Sequence, residues 1–413
     1  MPITKKASIK NYSLVNFFVA ALISSIFFDD PHLYFYKRVV YLIFLYFFLF
    51  QLMIFNYRRE ETRFHVPMPA FYAGYITIFL IFIAVNLIVD LNNPAFNLIT
   101  ILNHPLALMA VMPVFAFKVG YQTSDDDKVF NILFYISIAF LIFFLFPLKG
   151  NNVYNASLTC YASVLPFFAF TLVKKKYRVY AFILLGLGFL LSTVSESRTI
   201  ILRVLLFGLL FISLSMVKKY SSLKILIICA ISFFMFEMLT NLQNFIDFFI
   251  ADTGAKKFDD SDTRTFLYEE LFGDMKTHEL FMGRGFLGHY FSPYFLDQMQ
   301  QGIADGDSFS RISIEVGFLE LLLKGGFVYY FLYITPLVIS CCKGLGAHQN
   351  KLSFSISVII LTELLIMFIE NIPVFSFPFV LLFFLAGFSY RRMNKIDVRP
   401  IATSRPGYIL ESA

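Results

Sequence analysis

Ser195-Glu196-Ser197-Arg198-Thr199 stands where one apolar stretch ends and the next begins. If Arg198 and Thr199 open a helix, free backbone N–H groups, the positive end of the helix dipole and a guanidinium meet at one spot. Ser195 or Ser197 would be the cap. Such a spot suits an anion, phosphate above all. The plainer reading is a capped turn whose arginine reaches toward lipid headgroups. A second group of reactive residues lies in one long polar stretch, 251–310. There Ser261-Asp262-Thr263-Arg264 reads as a helix start. Asp262 is its cap, Arg264 sits in its first turn, and Phe266, Leu267, Leu271 and Met275 form its apolar face. The alternative for Arg264 is a solvated arginine paired with Asp259 or Asp260. Gly283-Arg284-Gly285-Phe286-Leu287-Gly288-His289 carries glycines that permit close backbone approach or a tight turn. Arg284 and His289 are its candidate substrate contacts. His289 lacks a partner at metal-ligand spacing, so no metal site is expected. Asp307, just before the next helix, could serve as general base or as cap. Arg311 and Glu315 follow at i,i+4, as do Glu320 and Lys324 on roughly the opposite face.

The elements that must position these residues are membrane helices. Residues are 58% hydrophobic and only 15% charged, against about 25% charged in soluble domains. Apolar runs of about 18 residues or more recur along the chain. A β-barrel would show short alternating segments instead. The expected fold is an all-α polytopic membrane protein of about twelve spans. Their positions are 12–28, 35–56, 69–89, 98–117, 129–147, 155–173, 178–195, 199–217, 222–248, 313–341, 353–371 and 373–390. Residues 1–250 hold the first nine spans, 251–312 a large extracytoplasmic loop, 313–390 the last three spans, and 391–413 a cytoplasmic tail. No cleavable signal peptide is read at the start. The four cysteines, Cys160, Cys229, Cys341 and Cys342, fall in or beside apolar runs, which argues against a disulfide framework. Gly325-Gly326 interrupts the run from Ile312 to Ser340. A short helix to about Lys324 followed by a span is one expectation, and a single tilted helix is the other.

Lysine and arginine alternate from loop to loop. One set of loops holds Lys5, Arg58, Lys118, Lys174–Lys176, Lys218, Lys343 and Arg391; the other is poor in both residues. By the positive-inside rule both termini are cytoplasmic and the long polar stretch lies outside. That leaves Lys37, Arg38 and Arg198 as conspicuous outside cations. The net charge of +6 resides between spans, so it is no sign of nucleic-acid binding. The long stretch exceeds the ~15 residues beyond which a loop is usually functional or disordered. Its many Phe and Tyr residues favour an ordered cap over a site among the helices.

In this order the pieces resemble the O-antigen polymerase and O-antigen ligase superfamily of bacterial envelope glycosyltransferases. The shared pattern is Ser197-Arg198-Thr199 opening a span, Arg264 on a loop helix, Gly283–Phe286 as Gly-x-Gly-Phe, Glu315-Val316-Gly317, and the Gly325-Gly326 span. The resemblance covers roughly 195–340, and the first half agrees in hydropathy alone. Ligases carry a His-Asn/Ser pair before the Glu-x-Gly helix. Here Asp307-Ser308 stands in that place, which tilts the reading to polymerase.

The resemblance implies a GT-C-like, cofactor-free and metal-independent transferase in the bacterial inner membrane. Donor and acceptor would both be undecaprenyl-diphosphate-linked oligosaccharides. A chain-length regulator and a flippase would be partners, besides membrane lipids. Arg198 and Arg264 would stabilise the leaving diphosphate, and Asp307 or Glu315 would take the acceptor's proton. Ser197, Thr199, Arg284, His289, Arg311, Lys37 and Arg38 would line the substrate path. The competing readings are a ligase and a transporter of lipid-linked oligosaccharide. A transporter would favour midplane features and repeated halves, and no repeat is visible.

Overall fold

The computed structural model describes 70–91, 106–146, 151–194, 198–217, 220–240, 265–294, 310–311, 313–347, 350–370 and 377–397. It also describes Leu14, Val15, Phe17, Phe18, Val19, Ala21, Leu22 and Leu296. The expected second span, most of the first, Lys37, Arg38 and the tail after 397 lie outside the described residues.

What is described is mostly helical. The bundle helices in chain order are α1 (Ala70–Leu91), α2 (Leu106–Gln122), α3 (Asp126–Leu145), α4 (Asn151–Tyr161), α5 (Val164–Thr171), α6 (Arg178–Val194), α7 (Arg198–Met216) and α8 (Ser221–Thr240). Two short helices follow, α9 (Thr265–Asp274) and α10 (Thr277–Met282), then α11 (Gly317–Gly346), α12 (Lys351–Ile366) and α13 (Phe377–Asp397). Five helical stretches among the described residues are long and apolar enough to cross a membrane: Gly74–Leu91, Asp126–Leu145, Lys175–Thr193, Thr199–Met216 and Gly317–Gly346. The chain is a helical membrane protein on these grounds.

Burial divides the helices into two kinds. α12 and the first four turns of α13 are buried nearly all round, as expected for the centre of a bundle. On α1, α6 and α8 the exposed residues are themselves apolar, among them Ile81, Ile88, Val179, Phe182, Ile225 and Phe233. A soluble protein does not spread such surface over its flanks, whereas a bilayer accommodates it. α2 and α13 cross with their backbones in contact. A methyl on Gly120 would lie 1.9 Å from the Phe384 carbonyl oxygen, and one on Gly387 would lie 2.0 Å from that of Phe117. Small residues permit this approach, and dispersion along the seam holds it.

Among the described residues several elements depart from expectation. The run 155–173 is two helices, α4 and α5, divided at Ala162-Ser163. The Ser163 hydroxyl donates to the Cys160 carbonyl at 2.8 Å and meets Ser137 Oγ at 3.0 Å, which satisfies the groups freed at the break. α3 starts earlier than expected because Asp125 caps it, accepting from the N–H groups of Asp127 and Lys128 at 3.1 and 3.2 Å. A two-residue antiparallel ladder, β1 (Tyr290–Phe291) with β2 (Ser310–Arg311), joins the two sides of the segment between α10 and α11. α11 is broken at Gly326, whose φ of 64° and ψ of −167° are not helical. The double-glycine interruption is therefore a true break, not a tilt.

The two ends of the bundle differ in chemistry. At one end Arg391 donates to the carbonyls of Tyr121 and Gln122 at 3.2 and 2.6 Å. Arg392 pairs with Asp126 and Lys174 with Asp127. Lys343 reaches the Tyr390 hydroxyl and Asn394, and Lys224 donates to the Leu345 carbonyl. The Lys/Arg-rich connections thus meet one another in space. The opposite end carries the candidate site.

Candidate functional site

At that opposite end the glycine turn 283–289 docks into the break of α11. Arg284 N–H donates to the Leu323 carbonyl at 2.8 Å. Gly283 lies against the Gly325 backbone so closely that a methyl on it would come within 2.4 Å of the Gly325 nitrogen. The buried carboxylate of Asp90, at the end of α1, accepts the N–H groups of Phe286 and Leu287 at 3.1 and 3.0 Å. Lys324 donates its ammonium proton to the Gly288 carbonyl at 2.8 Å. Phe286 drops edge-on toward Tyr329, which stacks on Phe82 of α1. The turn is therefore held mainly through its backbone, by one anion and one cation.

The charges around it alternate. Asp90 attracts Lys324, Lys324 attracts Glu320, and Glu320 attracts Arg311. Glu320, wholly buried, accepts from Ile314 N–H at 2.7 Å. Arg311 also lies 3.6 Å from Glu315; the pair forms off a helix, since both residues precede α11. Two carboxylates and two cations in sequence leave the buried part nearly neutral, which is how charge is tolerated there.

Arg284 is engaged by the segment itself. Its guanidinium donates to Asp274 at 2.5 Å, to the Asp274 carbonyl at 2.6 Å, to Glu279 at 2.9 Å and to the His289 carbonyl at 2.9 Å. Burial by itself would raise the Glu279 carboxyl, but the Arg284 contact and the Lys276 N–H outweigh it and hold it below its ordinary value. Burial, and then the Lys324 ammonium, push the His289 imidazole below its ordinary value, so the ring is neutral at pH 7. Arg284 folds the turn, and His289 shares its electrostatic environment with Lys324.

A turn at 366–370 links the docked segment to α7. Phe318 N–H donates to the Met367 carbonyl at 2.9 Å, and the Tyr268 hydroxyl of α9 donates to the Phe368 carbonyl at 2.6 Å. Glu370 in this turn pairs with Arg203 of α7 at 3.2 Å, and so does Glu363 of α12. α7 itself begins at Arg198, where the sequence places its helix start. Thr199 is half-buried in the first turn. Ser197, Arg264 and Asp307 lie outside the described residues, and of Arg198 only the backbone is described. Glu315 is a mostly exposed carboxylate.

Sequence reasoning passed over Arg203, Glu363, Asp90 and Tyr161. Arg203 and Glu363 had a signal: each is an ionisable residue inside an apolar span, which by default marks function. Asp90 reads as the outer end of a span, and nothing local reveals that it lies under a glycine turn. No group of His, Cys, Asp and Glu among the described residues is arranged to hold a metal.

No family model, no characterised protein and no solved structure matches this chain. Fold and site together define a class: a polytopic helical membrane protein with a glycine turn locked into a broken helix at one end.

Proposed function

We propose that the chain is a polysaccharide polymerase. It joins oligosaccharide repeat units carried on undecaprenyl diphosphate at the outer face of the bacterial cytoplasmic membrane. In this reading it has about twelve spans, both termini face the cytoplasm, and the segment between α8 and α11 forms an outer cap. The observation that carries the reading is the common footing of that segment and of α7. Both rest on the 366–370 turn, through Tyr268, Phe318 and Arg203. The helix end that opens with Arg198 therefore belongs to the same end of the bundle as the docked glycine turn.

The chemistry fits such a placement. A lipid diphosphate leaving group gathers negative charge as the C1–O bond breaks. A helix N-terminus with an arginine stabilises that charge without reorganising. No nucleotide is needed, because the diphosphate bond already supplies the driving force.

The test is direct. Lipid-linked oligosaccharides that accumulate in host cells deleted for the protein are purified and mixed with the purified protein alone. A ladder of longer glycans, formed without nucleotide, is the expected result; no ladder overturns the reading. In those cells, single repeat units on the surface lipid are expected in place of long chains. Loss of all repeat units would indicate a ligase instead.

A further inference from the structure

Arg203, Glu363, Glu370 and Tyr161 form a polar group that the proposed reaction has not yet used. Arg203 Nε donates to Glu363 Oε2 at 3.2 Å, and Nη2 lies 3.2 Å from Glu370 Oε2. Among the described residues one guanidinium faces two carboxylates, which leaves one negative charge over. Tyr161 lies within electrostatic reach of Arg203 from α4, and its buried hydroxyl makes no hydrogen bond among the described residues. Tyr333 of α11 faces Glu363. The three charged side chains keep 16–25% of their surface exposed. Buried polar groups are nearly always paired, and an exception points to water or a ligand.

The leftover charge decides the ligand class. A diphosphate would be repelled. A neutral hydroxylated group would find acceptors on both glutamates and donors on Arg203 and Tyr161. We infer that this group is the subsite for a hydroxyl of the acceptor sugar, with Glu370 receiving its proton. The inference rests on the polymerase reading. Glu363 is already hydrogen-bonded to Arg203 Nε, whereas Glu370 Oε2 is in ion contact with Arg203 but makes no hydrogen bond among the described residues. Glu370 also lies nearer the docked segment, since the Glu370 carbonyl comes within 3.2 Å of a methyl built on Gly317. In the step, the acceptor O–H proton passes to the Glu370 carboxylate and the oxygen bonds to C1 of the donor sugar. The C1–O bond to the diphosphate breaks, and the lipid diphosphate leaves with the electron pair. Protonated Glu370 then loses its proton to water.

Tyr161→Phe is the sharpest probe, because it is nearly isosteric. If the hydroxyl were only structural, removing an unpaired buried donor would leave stability and activity unchanged or improved. The subsite instead requires a KM for acceptor raised by about 3–10-fold at unchanged melting temperature, the worth of one hydrogen bond. The acceptor probe is the oligosaccharide released from the accumulated lipids by mild acid and tagged at its reducing end. It has no diphosphate and can act only as acceptor. Glu370→Gln should lower kcat by about 10²–10⁴-fold and remove the acidic limb of the pH–rate profile, with Glu370→Asp restoring part of both. An unchanged KM in Tyr161→Phe together with an intact acidic limb in Glu370→Gln overturns the inference while leaving the polymerase reading in place. If the wild type makes no ladder, the polymerase reading fails, and binding of the tagged oligosaccharide decides for the subsite. Weaker binding by Tyr161→Phe and Glu363→Gln supports a sugar site. Equal binding by all three proteins, or by none, overturns it.

Discussion

A methyl group on Gly285 would lie 2.3 Å from the carboxylate oxygen Oδ1 of Asp90. Gly285 also has a φ of 86°, a region that side chains avoid. Both features let the carboxylate reach the next two N–H groups of the turn. Gly285→Ala should therefore undock the turn, at a backbone cost of about 1–3 kcal/mol before the clash is counted. Hydrogen exchange of residues 286–289 in nanodiscs is the measurement. Unchanged protection would show that the turn accommodates the methyl and stays docked on Asp90.

Asp90 and Lys324 hold the same turn from opposite charges, so their variants should rank by what is left behind. Asp90→Ala strands two N–H groups and removes the charge facing Lys324, for a loss of about 3–5 kcal/mol. Asp90→Asn keeps an acceptor and should lose less. Lys324→Met leaves Asp90 and Glu320 without the cation between them and should resemble Asp90→Ala. Thermal melting of the three variants checks the order, and a milder effect in Asp90→Ala than in Asp90→Asn would contradict it.

Acid should loosen the docked segment in two stages. The folded state lowers the His289 pKa below its ordinary 6.5. The undocked form therefore binds a proton first, and stability falls as pH drops below that value until the docked ring is protonated too. Glu279 is also lowered, from an ordinary 4.5. Its contribution is complete above that pH and is lost as pH falls through the folded value. His289→Gln should abolish the first stage alone, and Glu279→Gln the second. Protection of the segment measured from pH 8 down to about pH 2 will separate them.

Two arginines that look equivalent in sequence should fail differently. Arg284→Ala breaks charged contacts to Asp274 and Glu279, and about 3 kcal/mol of segment stability should go with it. Arg198→Ala should leave melting unchanged and abolish ladder formation, with Arg198→Lys rescuing little because a bidentate fork on phosphate is lost. Full activity of Arg198→Ala at matched expression would return that residue to a headgroup contact.

Much of the bundle was legible from the chain. Apolar length locates α1, α3, α6 and α7 within a few residues, because a helix crossing a bilayer satisfies its own backbone and needs only a local run of suitable side chains. The start of α7 at Arg198 was legible, and a break at Gly325-Gly326 was one of the two readings the glycine pair left open, because helix starts and glycine breaks act within one turn. The two-residue ladder, the split between α4 and α5 and the early start of α3 were not. They depend on a partner strand, on Ser137 across from Ser163, and on the choice of Asp125 as cap.

By itself the sequence determined that ionisable groups such as Asp90, Arg203, Lys324 and Glu363 sit in or beside apolar helices and must therefore be paired. It did not determine with what. Asp90 meets Phe286 and Leu287 nearly two hundred residues away, and Arg203 meets Glu363 at a separation of 160. Those meetings depend on how each helix is rotated and where it crosses its neighbours, which is decided by packing along whole faces, such as the glycine seam between α2 and α13. The motif around Arg284 does not name its partners, which the fold supplies as Asp274, Glu279 and the His289 carbonyl. A guanidinium's donors go to the acceptors that tertiary structure brings within about 3 Å, and only the folded chain brings them there.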